Sequence, residues 1–388
     1  MSASTAPEPA GQPLVLFHET PGRDGRRIGV ATLNSPRTLN GLSLAMCEPL
    51  DARLRAWQDD PAIAAVLLDG AGGKAFCAGG DLHGLYRSML DNTGAAAWDN
   101  VYARRFFEVE YRLDYLIHCY RKPLVCWGSG IVMGGGVGLM MGASHRIVTE
   151  TTRFAMPEVS IGLFPDVGGT WMLGRLPRGI GTFLALTGAQ LGAADCLRLG
   201  LADRACRSSD LPELHAALAA TDWDPDPQAH GAQVDRLIDR LSADGAAGAP
   251  GPLQTHFEAI RRACDRADFD EICAGIRGWD AHDDPWLARA AATFAAGSPG
   301  SARLGYTLVQ RARLQSLAEV FRQEYVASLH CVAEGDLREG IRALLIDKDK
   351  SPRWRPATHA QADAQWVRRF FRRPWPEGQA HPLADLGA

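Results

Sequence analysis

Two acids, Glu158 and Asp166, stand in the stretch MPEVSIGLFPDVGG (156–169), which is otherwise apolar, small or glycine-rich. A carboxylate stripped of water has a raised pKa and becomes a usable base or nucleophile. Earlier in the chain, AFCAGGDL (75–82) and MGGGVGL (133–139) offer bare backbone N–H groups. Glycine permits close approach by a ligand, and a helix N-terminus adds unpaired donors with a partial positive charge. One donor from each of two such turns would hold a developing oxyanion, typically the largest single contribution in acyl chemistry. Each feature also has an ordinary reading. Glu158 after Pro157 would be a solvated charge, Asp166 an N-cap for the helix opening at VGGTWMLGRL, and the glycines tight packing between strand and helix.

Phosphate-loop readings of the same glycines fail on spacing. Gly73-Lys74 has Leu68 where a P-loop needs its first glycine and Ala75 where it needs Ser or Thr. MGGGVGL has Leu139 where the last glycine of G-x-G-x-x-G belongs. Cys77 lies beside the first glycine turn, but no histidine is near it in sequence, so it reads as a small packed residue.

These groups must be held by an alternation of short β-type and helical runs from Leu14 to about Ala205. RIGVATLN (27–34), AAVLLDG (64–70), the start of PLVCWGSGIVMGG (123–135) and HRIVTET (145–151) read as strands. SLAMCEPLDARLRAWQ (43–58) reads as a helix beginning on a Ser that could cap it, and VGLMMGA as another. Repeated β-then-α units predict an α/β domain whose strands are buried on both faces. Residues 206–388 differ: helical periodicity broken by proline and glycine, with an irregular tail after Pro356, suits a lid or an oligomer contact. Phe370, Phe371 and Trp375 read as a packing anchor. The expected division is a disordered tail over 1–13, a core over 14–205 and a helical region over 206–388.

Bulk properties exclude several classes. The chain has 388 residues, 46% hydrophobic and 22% charged, and a net charge of −4, which recommends neither a nucleic acid nor an anionic membrane as partner. No run of about 18 apolar residues exists to span a bilayer, and the N-terminus lacks the basic and apolar regions of a signal peptide. Nine cysteines without C-x-x-C spacing predict reduced thiols in a cytoplasmic protein. Eleven dispersed histidines with no H-E-x-x-H give no metal site.

Four motifs in order, LNSPRTLNGLS, AFCAGGDL, KPLVCWGSGIVMGGGVGL and FAMPEVSIGLFPDVGGTWMLGRL, resemble the crotonase (enoyl-CoA hydratase/isomerase) superfamily. The resemblance implies a spiral of repeated ββα units followed by a helical C-terminal region. It also implies an acyl-CoA substrate whose thioester oxygen is held by the amides of Gly80 and Gly135. Hydratases carry a second glutamate where this chain has Gly138. MPEVSIGLFPDVGG, FFEVEYRLDYLI (106–117), SPGSARLGYTLVQRARLQSLAEVFRQEY (298–325) and DLREGIRALLIDKDKSPRWRP (336–356) are similar to the 3-hydroxyisobutyryl-CoA hydrolase branch. That likeness implies thioester hydrolysis with Glu158 as base or nucleophile. It implies that Asp166 and Glu110 hold the substrate hydroxyl or orient water, with coenzyme A leaving and no separate cofactor. Arg37 and Lys74 are candidates for the CoA phosphates. The superfamily often forms trimers, so a homo-oligomer is implied. Two other readings stand beside it: an isomerase or hydratase of the same superfamily, and a non-catalytic acyl-CoA-binding scaffold.

Overall fold

The computed structural model describes residues 12–23, 25–242 and 247–388; most of the tail expected over 1–13 lies outside the described residues. Among the described residues nine strands follow in order: β1 (Val15–Pro21), β2 (Arg27–Leu33), β3 (Ile63–Gly70), β4 (Ala75–Cys77), β5 (Leu124–Gly128), β6 (Ile131–Met133), β7 (His145–Thr149), β8 (Arg153–Ala155) and β9 (Arg204–Cys206). They form a six-stranded sheet in the order β1-β2-β3-β5-β7-β9 and a three-stranded sheet β4-β6-β8. Only β1 is antiparallel to its neighbour. β1 and β2 both lie in the large sheet; from β3 to β8 each turn of the chain lays one strand in the large sheet and the next in the small one, then returns by helix. This is the spiral of ββα units that the resemblance implies.

The unbroken apolar run of β3 follows from cover on both faces. Val66 and Leu68 point into the main core, while Ala65 and Leu67 point into a second cluster closed by Leu214, Leu218, Val234 and Leu237. Alternate side chains thus leave water on opposite sides, as parallel strands between helical layers require. Four helices around the site are α1 (Leu44–Asp59), α2 (Leu82–Asp91), α3 (Val101–His118) and α4 (Gly135–Gly142), with α5 (Gly169–Arg175) beyond them. Ser43 stands at the N-cap of α1 as expected, but its side chain makes no capping bond. At Gly136 a Cβ would collide with the Cys77 carbonyl, so α4 lies directly on the end of β4.

After β9 the chain is helical. One hydrophobic cluster nevertheless runs from Val15 to Leu386, so this half shares the main core. The helix Leu317–Glu334 packs on α3, and Pro299–Ala312 packs on α5. The tail after Pro356 is mostly irregular and still well seated. Phe370 and Trp375 are buried, Phe371 is partly so, and Arg112 pairs with Asp385 at 2.8 Å. Among the described residues no helix is long and apolar enough to cross a membrane.

Candidate active site

The two glycine turns and both acids meet at a cavity of about 230 Å³. Gly80 reaches it through a one-residue parallel bridge. Leu42 donates to Gly79 O (2.7 Å) and Asp81 donates to Leu42 O (2.8 Å), which turns the Gly80 amide between them to the opposite side. Asp81 then caps α2 by accepting from His83 and Gly84. Gly135 is the first residue of α4, where an N–H has no intrahelical acceptor. Neither amide donates to a backbone acceptor among the described residues. A Cβ on Gly135 would stand 3.6 Å from the Gly80 nitrogen. Standard backbone dimensions then put the two nitrogens no more than about 6 Å apart, close enough for one oxygen to accept from both.

Glu158 opens a short 3-10 turn, Glu158–Ile161, ended by Gly162 in the left-handed region (φ 81). No side chain fits at Gly162, because a Cβ would collide with the backbone of Asp336. The turn is thus braced by the C-terminal half. Glu158 is buried, not solvated, and its Oε2 has no hydrogen-bond partner among the described residues. Its other oxygen would lie 3.1 Å from a Cβ on Gly134, at the mouth of the α4 amides. Burial, then the charge of Asp166, push its carboxyl well above the usual range.

Asp166 does not cap α5. The N-cap residue is Gly168, and the open amides of Gly168 and Thr170 donate to Glu324 of the helix Leu317–Glu334, at 2.8 and 3.1 Å. The Thr170 hydroxyl also donates to Glu324 (2.5 Å). Asp166 is freed to face the cavity, its Oδ2 accepting from Tyr111 (2.8 Å), whose hydroxyl also meets Ser328 (2.8 Å). Burial raises its pKa to about 6, moderated by the Tyr111 bond. Glu110 is 2% exposed on α3 and also lines the cavity, so it is no solvated helix face. Burial and then Asp166 raise its carboxyl well above the usual range. Behind them Asp114 is fully buried with neither oxygen partnered among the described residues, and burial likewise raises it. Glu324 is raised to about 8 by burial despite its three donors.

All five predicted site residues, Gly80, Gly135, Glu110, Glu158 and Asp166, therefore line one cavity. Arg37 and Lys74 lie outside its wall. Both are exposed, on loops joined through Asn40, whose amide donates to Ala71 and Ala75 carbonyls. Burial pushes the Cys77 thiol up to about 12, which leaves no thiolate for attack at neutral pH. Sequence reasoning missed Tyr111, Glu324, Asp114 and Leu344. Tyr111 adjoins Glu110 in the quoted helix, but no local signal sets it apart from a core aromatic.

The raised acids have a consequence for stability. An unfolded Asp ionises near 3.8, and Asp166 near 6 when folded. Below pH 4 both states hold the proton. As pH rises to 6 the unfolded chain loses it first, so the contribution to stability falls across that window and is gone above it. Asp166→Asn keeps an acceptor for Tyr111 and is expected to be more stable than the parent at pH 7 by about 2–3 kcal/mol, with the gap closing below pH 4. Urea unfolding at both pH values measures it, and an equal gap at both would contradict it.

A cavity with two converging amide donors and buried carboxyls is built for carbonyl chemistry on an acyl group. The chain belongs to the enoyl-CoA hydratase/isomerase family, whose sequence model matches residues 28–371. Within it, the mitochondrial 3-hydroxyisobutyryl-CoA hydrolase of Danio rerio is 38% identical over 347 residues, covering 89% of this chain and 87% of that protein. Among solved structures, a carnitinyl-CoA dehydratase from Mycobacterium thermoresistibile superposes with a TM-score of 0.81 at 37% identity, covering 95% of this chain and 100% of that one. An enoyl-CoA hydratase from Rhodobacter sphaeroides gives 0.78 at 36%, covering 92% and 97%.

Proposed function

We propose that this protein hydrolyses the thioester of a short branched 3-hydroxyacyl-CoA, with 3-hydroxyisobutyryl-CoA as the substrate that fits best. The observation that carries the reading is the convergence of two free amides and a buried carboxyl with one unpartnered oxygen, Glu158 Oε2, on one small cavity among the described residues. Gly80 and Gly135 N–H take the thioester oxygen and stabilise the charge that grows on it. Glu158 attacks the carbonyl carbon, expelling CoA and leaving a mixed anhydride that water opens, or it takes the proton of an attacking water. Glu110 and Asp166 grip the 3-hydroxyl and position water. Arg37 and Lys74 meet the CoA phosphates. Residues 14–205 form the acyl-CoA-binding core and 206–388 close the site. A cytoplasmic homo-oligomer without nucleic-acid partners completes the proposal.

The solved relatives' names favour a second reading, addition or removal of water at a double bond. Position 138 argues against it. A Cβ on Gly138 would lie 2.7 Å from Val167 Cβ and 2.9 Å from Asp114 Oδ2, so there is no room for a second glutamate. Without that group one of two acid–base roles is unfilled. A panel of short acyl-CoAs, followed for free thiol and for enoyl absorbance together, decides. Thiol release with 3-hydroxyisobutyryl-CoA and no enoyl change is expected; enoyl change without thiol would establish the second reading. No turnover of any acyl-CoA would favour a binding scaffold.

A further inference from the structure

The segment DLREGIRALLIDKDKSPRWRP supplies no group to the chemistry above, yet it puts one side chain, Leu344, into the cavity wall. Its backbone there is unusual. Arg342–Ile346 is a π-helical turn, a rare form that recurs at functional sites, and it is followed by Lys348 and Lys350 in the left-handed region (φ 56 and 55). Such conformations persist only where the surroundings over-determine them. Three anchors do so. Asp336 is buried and accepts from Ser298 Oγ and Arg355 N, both at 2.7 Å. Gly340 lies so close to the Ile161 carbonyl that no side chain fits, which seats the segment on the turn carrying Glu158. Arg342 donates to Glu339 (2.9 and 2.8 Å), Asp347 (2.6 Å), Asp349 (2.7 Å) and the Ser351 carbonyl (3.3 Å), gathering both ends of the π turn around one guanidinium.

The rest of the apolar wall is either fully buried or tied to the catalytic groups: Leu82 and Ile161 are half-buried, but Leu82 stands two residues from Gly80 and Ile161 ends the turn that carries Glu158. Leu85, Phe106 and Phe107 are fully buried on α2 and α3, with core behind them. Leu344 is only half-buried and belongs to neither the core cluster nor the partly buried residues packed against it. Among the larger half-buried aliphatic residues of the wall, Leu82, Ile161 and Leu344, it is the one that stands on neither the Gly80 turn nor the Glu158 turn, so its size can change without moving either.

We propose that Leu344, held over the cavity by the π turn and its Arg342 clasp, sets the length of acyl chain that the site accepts. This rests on the reading that the cavity receives an acyl group. A methylene more or less in an apolar pocket changes discrimination by about tenfold or more, so removing most of a leucine is a large change.

The test uses the full chain and CoA thioethers, which bind without reacting, carrying four-carbon or eight-carbon S-alkyl chains. Calorimetry gives a Kd for each. Leu344→Ala is expected to shift the ratio of the two Kd values toward the longer chain by about tenfold, and Leu344→Phe to shift it the other way. Opposite shifts from the two variants are not what general loosening of the fold would produce. Ratios within about twofold of the parent in both variants would overturn the proposal. Hydrolysis by the parent separates the two ideas. If the parent releases thiol from 3-hydroxyisobutyryl-CoA and the ratios do not move, the function stands and the gate falls. If the ratios move and no thioester is cleaved, the gate stands and the hydrolase reading falls.

Discussion

Glu158→Gln is expected to keep the fold and to lower thiol release from 3-hydroxyisobutyryl-CoA by about 10³-fold. The change is isosteric, and an amide can neither attack a thioester nor take a proton from water. Stability should not suffer. Glu158 Oε2 has no partner to lose among the described residues, and the parent carries the cost of a buried acid beside Asp166. The same burial fixes the pH response. Because the carboxyl is held well above the usual range, turnover in the parent should climb with pH along an acid limb lying above that of an ordinary glutamate, and the residual rate of Glu158→Gln should lack this limb. The route is read separately. After one turnover in ¹⁸O water, label in the Glu158 carboxylate identifies it as the nucleophile, with water having opened the anhydride at the Glu158 carbonyl, because a general base never acquires label. Capture of the Glu158 acyl group as a hydroxamate by hydroxylamine detects the anhydride whichever carbonyl water attacks. A Gln variant releasing thiol at close to the parent rate would remove Glu158 from the chemistry.

What could be read beforehand follows the range of the interactions. Strand β3 was legible because each residue from Ile63 onward carries its own signal of burial on both faces. The strands of the small sheet were not, since three residues are too few to show alternation. Gly80, Gly135, Glu158 and Asp166 could be chosen because each stands out against its immediate neighbours. Glu110 does not, since a glutamate in an amphipathic helix is ordinarily a solvated face, and only the resemblance singled it out. The ordinary reading of Asp166, a helix cap, shows the limit most clearly. The local pattern asked for a capping acid, and the fold supplied one from 156 residues away, Glu324 on Gly168 N–H, which left the nearer acid for the cavity. Leu344 is hidden for the same reason: an ordinary leucine acquires a role only when a π turn carries it across to α2 and α3.

Gly135→Ala tests the amide pair directly, because a backbone N–H cannot be deleted by substitution but the space before it can be filled. Gly135 has helical backbone, where alanine is better accommodated than glycine, so conformation alone imposes no cost. The added methyl would stand 3.6 Å from Gly80 N, 3.5 Å from Leu42 Cδ2 and 2.6 Å from Glu110 Oε1. It thus intrudes between the two donors and also displaces the end of one flexible side chain. Loss of one donor from such a pair costs about 10²–10³-fold in kcat, and that is the expected loss here, with stability changed by no more than about 1 kcal/mol. The displaced Glu110 offers a competing explanation, which a second substrate separates. Isobutyryl-CoA has the same branched acyl group without the 3-hydroxyl, so Glu110 has nothing to grip on it. If the methyl acts by blocking the oxyanion, the variant loses the same factor on both thioesters. If it acts by moving Glu110, the loss is large with 3-hydroxyisobutyryl-CoA and small with isobutyryl-CoA. Equal losses are expected, because the thioester oxygen is common to both substrates and the charge on it grows whether or not a hydroxyl is present.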